Sequence, residues 1–187
     1  MRICYIAHSS AHFAQPYIDW FAAHGHDVHL ISFSHQLAPH ATNHHPVAQD
    51  FQPDMARAHY VRAIPKIRRL LRRLAPDLVH AHYATSNGLV GACSGRRPLI
   101  VSARGTDVIR SVQSTLGRAL LRFVFGRADL VNPVSQELAT HLAGLGVRDD
   151  RVLTLSQGIE CERFQGRSNT RKPGPTRIIC TRKLQNP

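Results

Sequence analysis

The feature that most constrains this chain is its alternation of short apolar runs with segments of helical period, sustained from Met1 to about Phe164. Arg2-Ile-Cys-Tyr-Ile-Ala7 is an apolar run of strand length. Phe13, Tyr17, Ile18, Phe21 and Ala22 then recur at helical spacing, with Pro16 tolerable in the first turn and Gly25 a natural stop. Val28–Phe33 is a second strand. Later runs at Asp77–His82, Pro98–Ala103, Asp129–Val134 and Val152–Leu155 read as further strands. Helical segments separate them at Lys66–Leu74, at Asn87–Ser94, and around Leu116, Leu120, Phe123 and Val124. Ser135 is a suitable N-cap for a helix through Leu142, which Gly144 or Gly146 would end. His35–Pro53 has no clear period and reads as a loop, with the Asn43-His-His45 cluster in solvent.

Strand–helix alternation of this kind predicts an α/β fold: a Rossmann-like, mostly parallel sheet with helices on both faces. Ligands of such sheets bind at the carboxyl ends of the strands. The expected organisation is a domain over 1–164, a basic Pro/Gly linker over 165–175, and the first strand of a further domain over 176–187, opened by Thr176-Arg-Ile-Ile-Cys-Thr181. One strand cannot bury its own faces, so those last residues read as part of something larger. An unpaired strand there would favour association.

Several function classes fall away on chemistry. A dinucleotide site needs glycines directly after the first strand, so that backbone can approach a pyrophosphate. That loop is His8-Ser-Ser-Ala-His-Phe-Ala14, without glycine, and no acidic residue follows the second strand to hold a ribose. There is no Walker A pattern, no GxSxG elbow and no HExxH. The four cysteines are scattered without CxxC spacing, as expected for reduced thiols rather than a disulfide frame or zinc site. No apolar run approaches the roughly 18 residues of a membrane span. The N-terminus lacks a signal-peptide pattern, which points to the cytoplasm.

Charge narrows the partners. Lys and Arg number 24 against 12 Asp and Glu, a net +12, which favours anionic partners without choosing among nucleic acid, lipid headgroups and phosphorylated substrates. In Lys66–Leu74, Ile67, Leu70, Leu71 and Leu74 share one face while Arg68, Arg69, Arg72 and Arg73 lie elsewhere. Those arginines are either a solvated face or a contact for an anionic membrane, peripheral on its inner surface. A non-enzymatic basic α/β module for nucleic acid or membrane is therefore the competing reading, although no aromatic-basic interleaving or known nucleic-acid module is present. His80 and His82 lie two apart on one strand and share a face; no third metal ligand is evident by spacing. His80 is expected inside the sheet and His82 at the strand end, facing a cleft.

A set of ordered motifs resembles the family 4 glycosyltransferases of GT-B fold. Arg2-Ile-Cys-Tyr-Ile and Gly25-His-Asp-Val-His-Leu-Ile-Ser32 match the family's opening strand and its "GHxVxxIs" strand. Pro76–His82 resembles "PDxVHaH", and Pro98–Asp107 resembles "pxVxsxxGtD". Arg127-Ala-Asp129, Ser135 and Leu145-Gly-Val147 resemble the "AD…vS…lgv" run, and Gly158–Phe164 resembles the crossover "NGvDxerF". The resemblance implies a retaining, metal-independent transferase with no cofactor, in which a nucleotide-sugar is co-substrate. Its N-terminal domain binds the acceptor, lipid-linked or polysaccharide, and its C-terminal domain binds the donor. It makes His12, His82, Arg104, Asp107 and Ser135 acceptor-cleft candidates and Arg182 a donor-phosphate candidate. Asp107 has an alternative role capping its own turn, and Ser135 as a plain N-cap. Three departures stand out: Arg104 where many members carry His, Ser156-Gln157 in place of Pro-Asn, and no lysine with E-x7-E pair before Pro187. The implied donor domain would be supplied in cis or in trans, and the isolated chain is expected to be inactive.

Overall fold

The computed structural model describes residues 1–8, 14–33, 43–47, 58–156 and 158. Among the described residues, six strands form one all-parallel sheet in the order β3-β2-β1-β4-β5-β6. They are β1 (Arg2–Ile6), β2 (Asp27–Ser32), β3 (Asn43–Pro46), β4 (Leu78–His82), β5 (Leu99–Ala103) and β6 (Leu130–Pro133). The direction in which successive strands are added reverses between β1 and β4, where Ile3 pairs with Val28 on one side and Leu78 on the other. That is the topological switch point, and it opens a crevice at the carboxyl ends of β1 and β4.

Side-chain alternation along β1 divides the core into two layers. Ile3, Tyr5 and Ala7 pack with Ile18, Tyr17 and Phe21 of helix α1 (Gln15–Ala23). Cys4 and Ile6 face the opposite layer, filled by α2 (Ala58–Leu74), α3 (Leu89–Ser94), α5 (Thr115–Arg127) and α6 (Gln136–Gly144). Helices therefore cover both faces, as the alternation predicts. The short α4 (Thr106–Ile109) follows β5.

Three expectations need correction. The predicted loop His35–Pro53 contains β3, whose sequence Asn-His-His-Pro has little strand preference. Pairing with β2, from His29↔Asn43 to Ser32↔Pro46, supplies what propensity does not. Pro46 is tolerated at the end of an edge strand. The Asn43-His-His45 cluster is half-buried rather than solvated. His44 Nε2 lies 2.6 Å from Ser32 Oγ, and His45 Nε2 lies 3.0 Å from His29 Nδ1.

Second, α2 runs through Pro65 instead of starting at Lys66. Proline removes one helical N–H, but it sits on the solvent side, where water can reach the freed carbonyl. Burial of Ala63, Ile67, Leu70 and Leu71 holds both halves in line. Third, Val152–Leu155 falls short of a seventh strand. It runs beside β6 through Leu153 N–H to Val131 O and Leu155 N–H to Pro133 O, with a single bridge at Val131↔Val152.

Gly117 in the first turn of α5 tests the packing directly. A Cβ there would lie 2.1 Å from the carbonyl oxygen of Ser111, which is backbone and cannot rotate away. Gly117→Ala should cost about 2–3 kcal/mol. Urea unfolding within 0.5 kcal/mol of wild type would contradict this placement of the Ser111–Gln113 turn against α5.

Candidate functional site

At the switch point, β4 presents two stacked imidazoles on the α1 side of the sheet. His80 and His82 have ring centroids 4.3 Å apart, and Tyr17 of α1 meets both edge-on at 5.6 Å. Tyr5 of β1 lies beside them, 5.4 Å from His80. The cluster closes the floor of the crevice with aromatic faces. Its two histidines have different partners, and the partners fix their protons.

Ser102 Oγ donates to Asn132 Oδ1 at 3.0 Å, so it accepts from His80 Nε2 at 2.8 Å. Asn132 Nδ2 in turn donates to Leu153 O at 2.9 Å. This buried relay ties β4, β5 and β6 to the segment beyond them. His80 is inside the sheet, as its sequence position suggests. Burial, with the Arg104 cation nearby, pulls its pKa from 6.5 down to about 3.

The guanidinium Nη2 of Arg104 donates to His82 Nδ1 at 2.7 Å. His82 is therefore a neutral imidazole with its proton on Nε2. Burial, then His80, then Arg104 hold its pKa well below the ordinary value. His82 is fully buried rather than lining an open cleft; half-buried Arg104 lies between it and solvent. A neutral histidine bonded to a fixed cation orients that cation. At the mouth of the crevice it is Arg104 that can offer N–H groups to oxygen atoms of a ligand.

Asp107 holds this turn together. Oδ1 accepts from the N–H groups of Arg104 and Gly105, both at 3.0 Å, and Oδ2 accepts from Ala84 at 2.7 Å. Gly105 has φ 118°, a conformation that glycine adopts without Cβ strain. Burial raises the carboxyl pKa of Asp107, while those backbone donors oppose the shift. The side chain is 6% exposed, so it caps the turn and spaces β4 from β5 rather than facing the crevice. Beside it Tyr83 has φ 79°, a strained value for a residue with a Cβ, and it leads into a π-helical turn at Ala84–Gly88. Backbone strain and π turns concentrate at working sites.

Ser135 caps α6: its Oγ accepts from Leu138 N at 3.2 Å. The structure thus brings His82, Arg104 and Asp107 together and sets Ser135 at a helix start. His12 and Arg182 lie outside the described residues. Among the four basic candidates on α2, Arg69 and Arg73 line a cleft with β3, whereas Arg68 and Arg72 do not. Tyr17, Ser102, Asn132 and Tyr83 were missed by sequence reasoning. The signal for Ser102 and Asn132 was a polar residue alternating into an otherwise apolar strand. Among the described residues, no group of three or more His, Cys, Asp or Glu could hold a metal ion.

The family model of Glycosyltransferase Family 4 matches residues 17–163. The chain belongs to glycosyltransferase family 4. One curated relative of this family 4 chain is TuaC of Bacillus subtilis (strain 168), assigned to teichuronic acid biosynthesis as a glycosyltransferase. The two are 35% identical over 106 residues, 54% of this chain and 26% of TuaC. Solved structures share the fold at low identity. Anabaena Alr3699/HepE in complex with UDP-glucose superposes with a TM-score of 0.60 at 18% identity, over 87% of this chain and 45% of HepE. The UDP-N-acetylglucosamine 2-epimerase of Rickettsia bellii reaches a TM-score of 0.64 at 13% identity, over 84% of this chain and 45% of the epimerase. The family 4 chain thus spans about a quarter of TuaC and under half of each of these two structures. Among the described residues, no helix is long and apolar enough to cross a membrane.

Proposed function

We propose that this chain is the acceptor-binding part of a retaining, metal-independent glycosyltransferase that moves a sugar from a nucleotide-sugar to an acceptor. The observation that carries the reading is the Arg104–His82 pair at the carboxyl ends of β5 and β4, 2.7 Å apart beside the switch point. The acceptor sits in that crevice, with Arg104 binding its oxygens and His12 a further candidate contact. Asp107 keeps the turn in place. The donor is a nucleotide-sugar, a class supported by the UDP-glucose held in HepE. Its diphosphate is met by Arg182 and by a donor-binding domain supplied in cis or in trans. No cofactor is needed, because a preorganised cation and N–H groups stabilise charge on the departing diphosphate. Acceptors are lipid-linked or polysaccharide, with Arg68 and Arg72 available for peripheral contact with the cytoplasmic membrane face.

Binding and turnover on the 187-residue chain test this. Saturation-transfer NMR against a panel of oligosaccharides should find an acceptor whose affinity falls at least tenfold in Arg104→Gln. The same chain should not turn over UDP- or GDP-sugars. Turnover by the isolated chain, or sugar binding indifferent to Arg104, would overturn the assignment. A second reading, a nucleic-acid module, finds no support in the site, whose one oriented cation lies in a crevice rather than along an exposed groove.

A further inference from the structure

The edge of the sheet carries a second, differently built site. Between β3 and α2 lies a cleft of about 350 Å³. That is at the small end of the range for small-molecule sites, roughly 300–1,000 Å³. Lys66, Arg69 and Arg73 enter it from the helix and His44 and His45 from the strand, and among the described residues no acidic side chain lines it. The positions i, i+3 and i+7 place three permanent cations along one helix face. β3 is separated from β1 by β2, so this cleft lies about 10 Å from the switch-point strand, at the strand spacing of a sheet.

Its walls are held. Lys66 Nζ donates to Val47 O at 2.9 Å. His44 is anchored on Ser32 at 2.6 Å. His45 is anchored on His29 at 3.0 Å, and His29 Nε2 lies 3.1 Å from Asp27 Oδ1. The side chains of Arg69 and Arg73, by contrast, make no hydrogen bond or ion pair among the described residues. Two guanidinium groups without an acidic partner among the described residues, converging with an anchored ammonium on a concave surface, form a positive focus that an anion would relieve. Guanidinium forks match phosphate oxygens two at a time.

We infer that the β3–α2 cleft is a binding site for a phosphate or diphosphate group, clamped by Arg69 and Arg73 and flanked by Lys66 and the two histidines. The site is independent of the transferase reading, which rests on the opposite side of β1. A soluble compound and a lipid headgroup both present the phosphate oxygens this cleft would bind.

Two double variants remove equal charge: Arg69→Gln/Arg73→Gln inside the cleft and Arg62→Gln/Arg122→Gln, both exposed and outside it. Far-UV circular dichroism checks that both fold. Inorganic phosphate and pyrophosphate are titrated into each at fixed ionic strength, followed by the imidazole NMR signals of His44 and His45. In parallel, sedimentation is measured with phosphatidylcholine vesicles containing or lacking phosphatidic acid. The expected result is saturable binding in at least one arm, weakened tenfold or more by the cleft variant and less than twofold by the control. Saturation in solution alone identifies a soluble ligand. Retention only on phosphatidic acid vesicles identifies a headgroup. Equal weakening by both variants, or no saturation in either arm, overturns the site.

Discussion

Lowering the pH from 7.5 to 5 is expected to remove about 2 kcal/mol of folding stability through His80 alone, with His82 adding to it. The folded pKa of His80 is about 3 against an ordinary 6.5, and burial is the first cause. A histidine whose pKa is depressed by folding contributes stability above its unfolded pKa. That stability is lost as pH falls, because the unfolded chain takes up protons the fold cannot accept. At pH 5 the unfolded imidazole is already protonated while the buried one is neutral; the linkage integral over that interval gives about 2 kcal/mol. His82 is shifted the same way, and burial also lowers His8 and His45. Among the carboxylates, Asp27 is held low by its hydrogen bond from Arg2, whereas burial raises Asp107, whose proton uptake in the folded state acts in the opposite direction to the histidines. Urea unfolding of wild type and His80→Gln at both pH values provides the measurement. The variant cannot protonate, so its stability should fall with pH by about 2 kcal/mol less than wild type. Identical pH slopes would rule out a buried neutral His80.

The second large effect is at Asp107. Replacement by Ala should cost about 3–4 kcal/mol, because it strips the acceptor from three backbone N–H groups at once in a site that is 6% exposed. Asn should cost roughly half as much. Its single amide oxygen can still take the N–H groups of Arg104 and Gly105, while the bond from Ala84 to Oδ2 is lost. Amide hydrogen exchange locates the damage. Protection should fall first at Ala84, Arg104 and Gly105, and only later across the sheet. An Asp107→Ala protein within 1 kcal/mol of wild type would mean that water replaces the carboxylate, and the turn would not then depend on it.

Much of this architecture was legible in the chain because burial on both faces writes parallel strands as continuous apolar runs. Ile3–Ile6, Val28–Ile31 and Leu99–Val101 needed no context. β3 did need it: Asn-His-His-Pro has neither alternation nor β-branching, and only its ladder with β2 makes it a strand. The start of α2 was missed for the opposite reason, since the helix runs back through Pro65, held by the burial of Ala63 before it and Ile67 and Leu71 after it. At the site, the sequence placed His82, Arg104 and Asp107 near strand ends. It could not show that His82 is covered and Arg104 stands in front of it. That depends on Nδ1 meeting a guanidinium 22 residues away, a contact that no spacing encodes. The His80–Ser102–Asn132 relay was hidden likewise, because it is a matter of register between strands.

The strand order has a consequence for synthesis. β1 is translated first, yet it belongs in the middle of the sheet. Its β2 flank can pair once residue 32 has emerged, but Ile3 must wait for Leu78 to complete the other side. At about 5–20 residues per second, the interval from residue 32 to Leu78 is roughly 2–9 s. Throughout it the nascent chain exposes one bare edge of an apolar strand, the geometry most prone to pairing with a neighbour. A ribosome-bound chaperone, or a pause after residue 82, would therefore matter more to the yield of this protein than any single contact in its finished core.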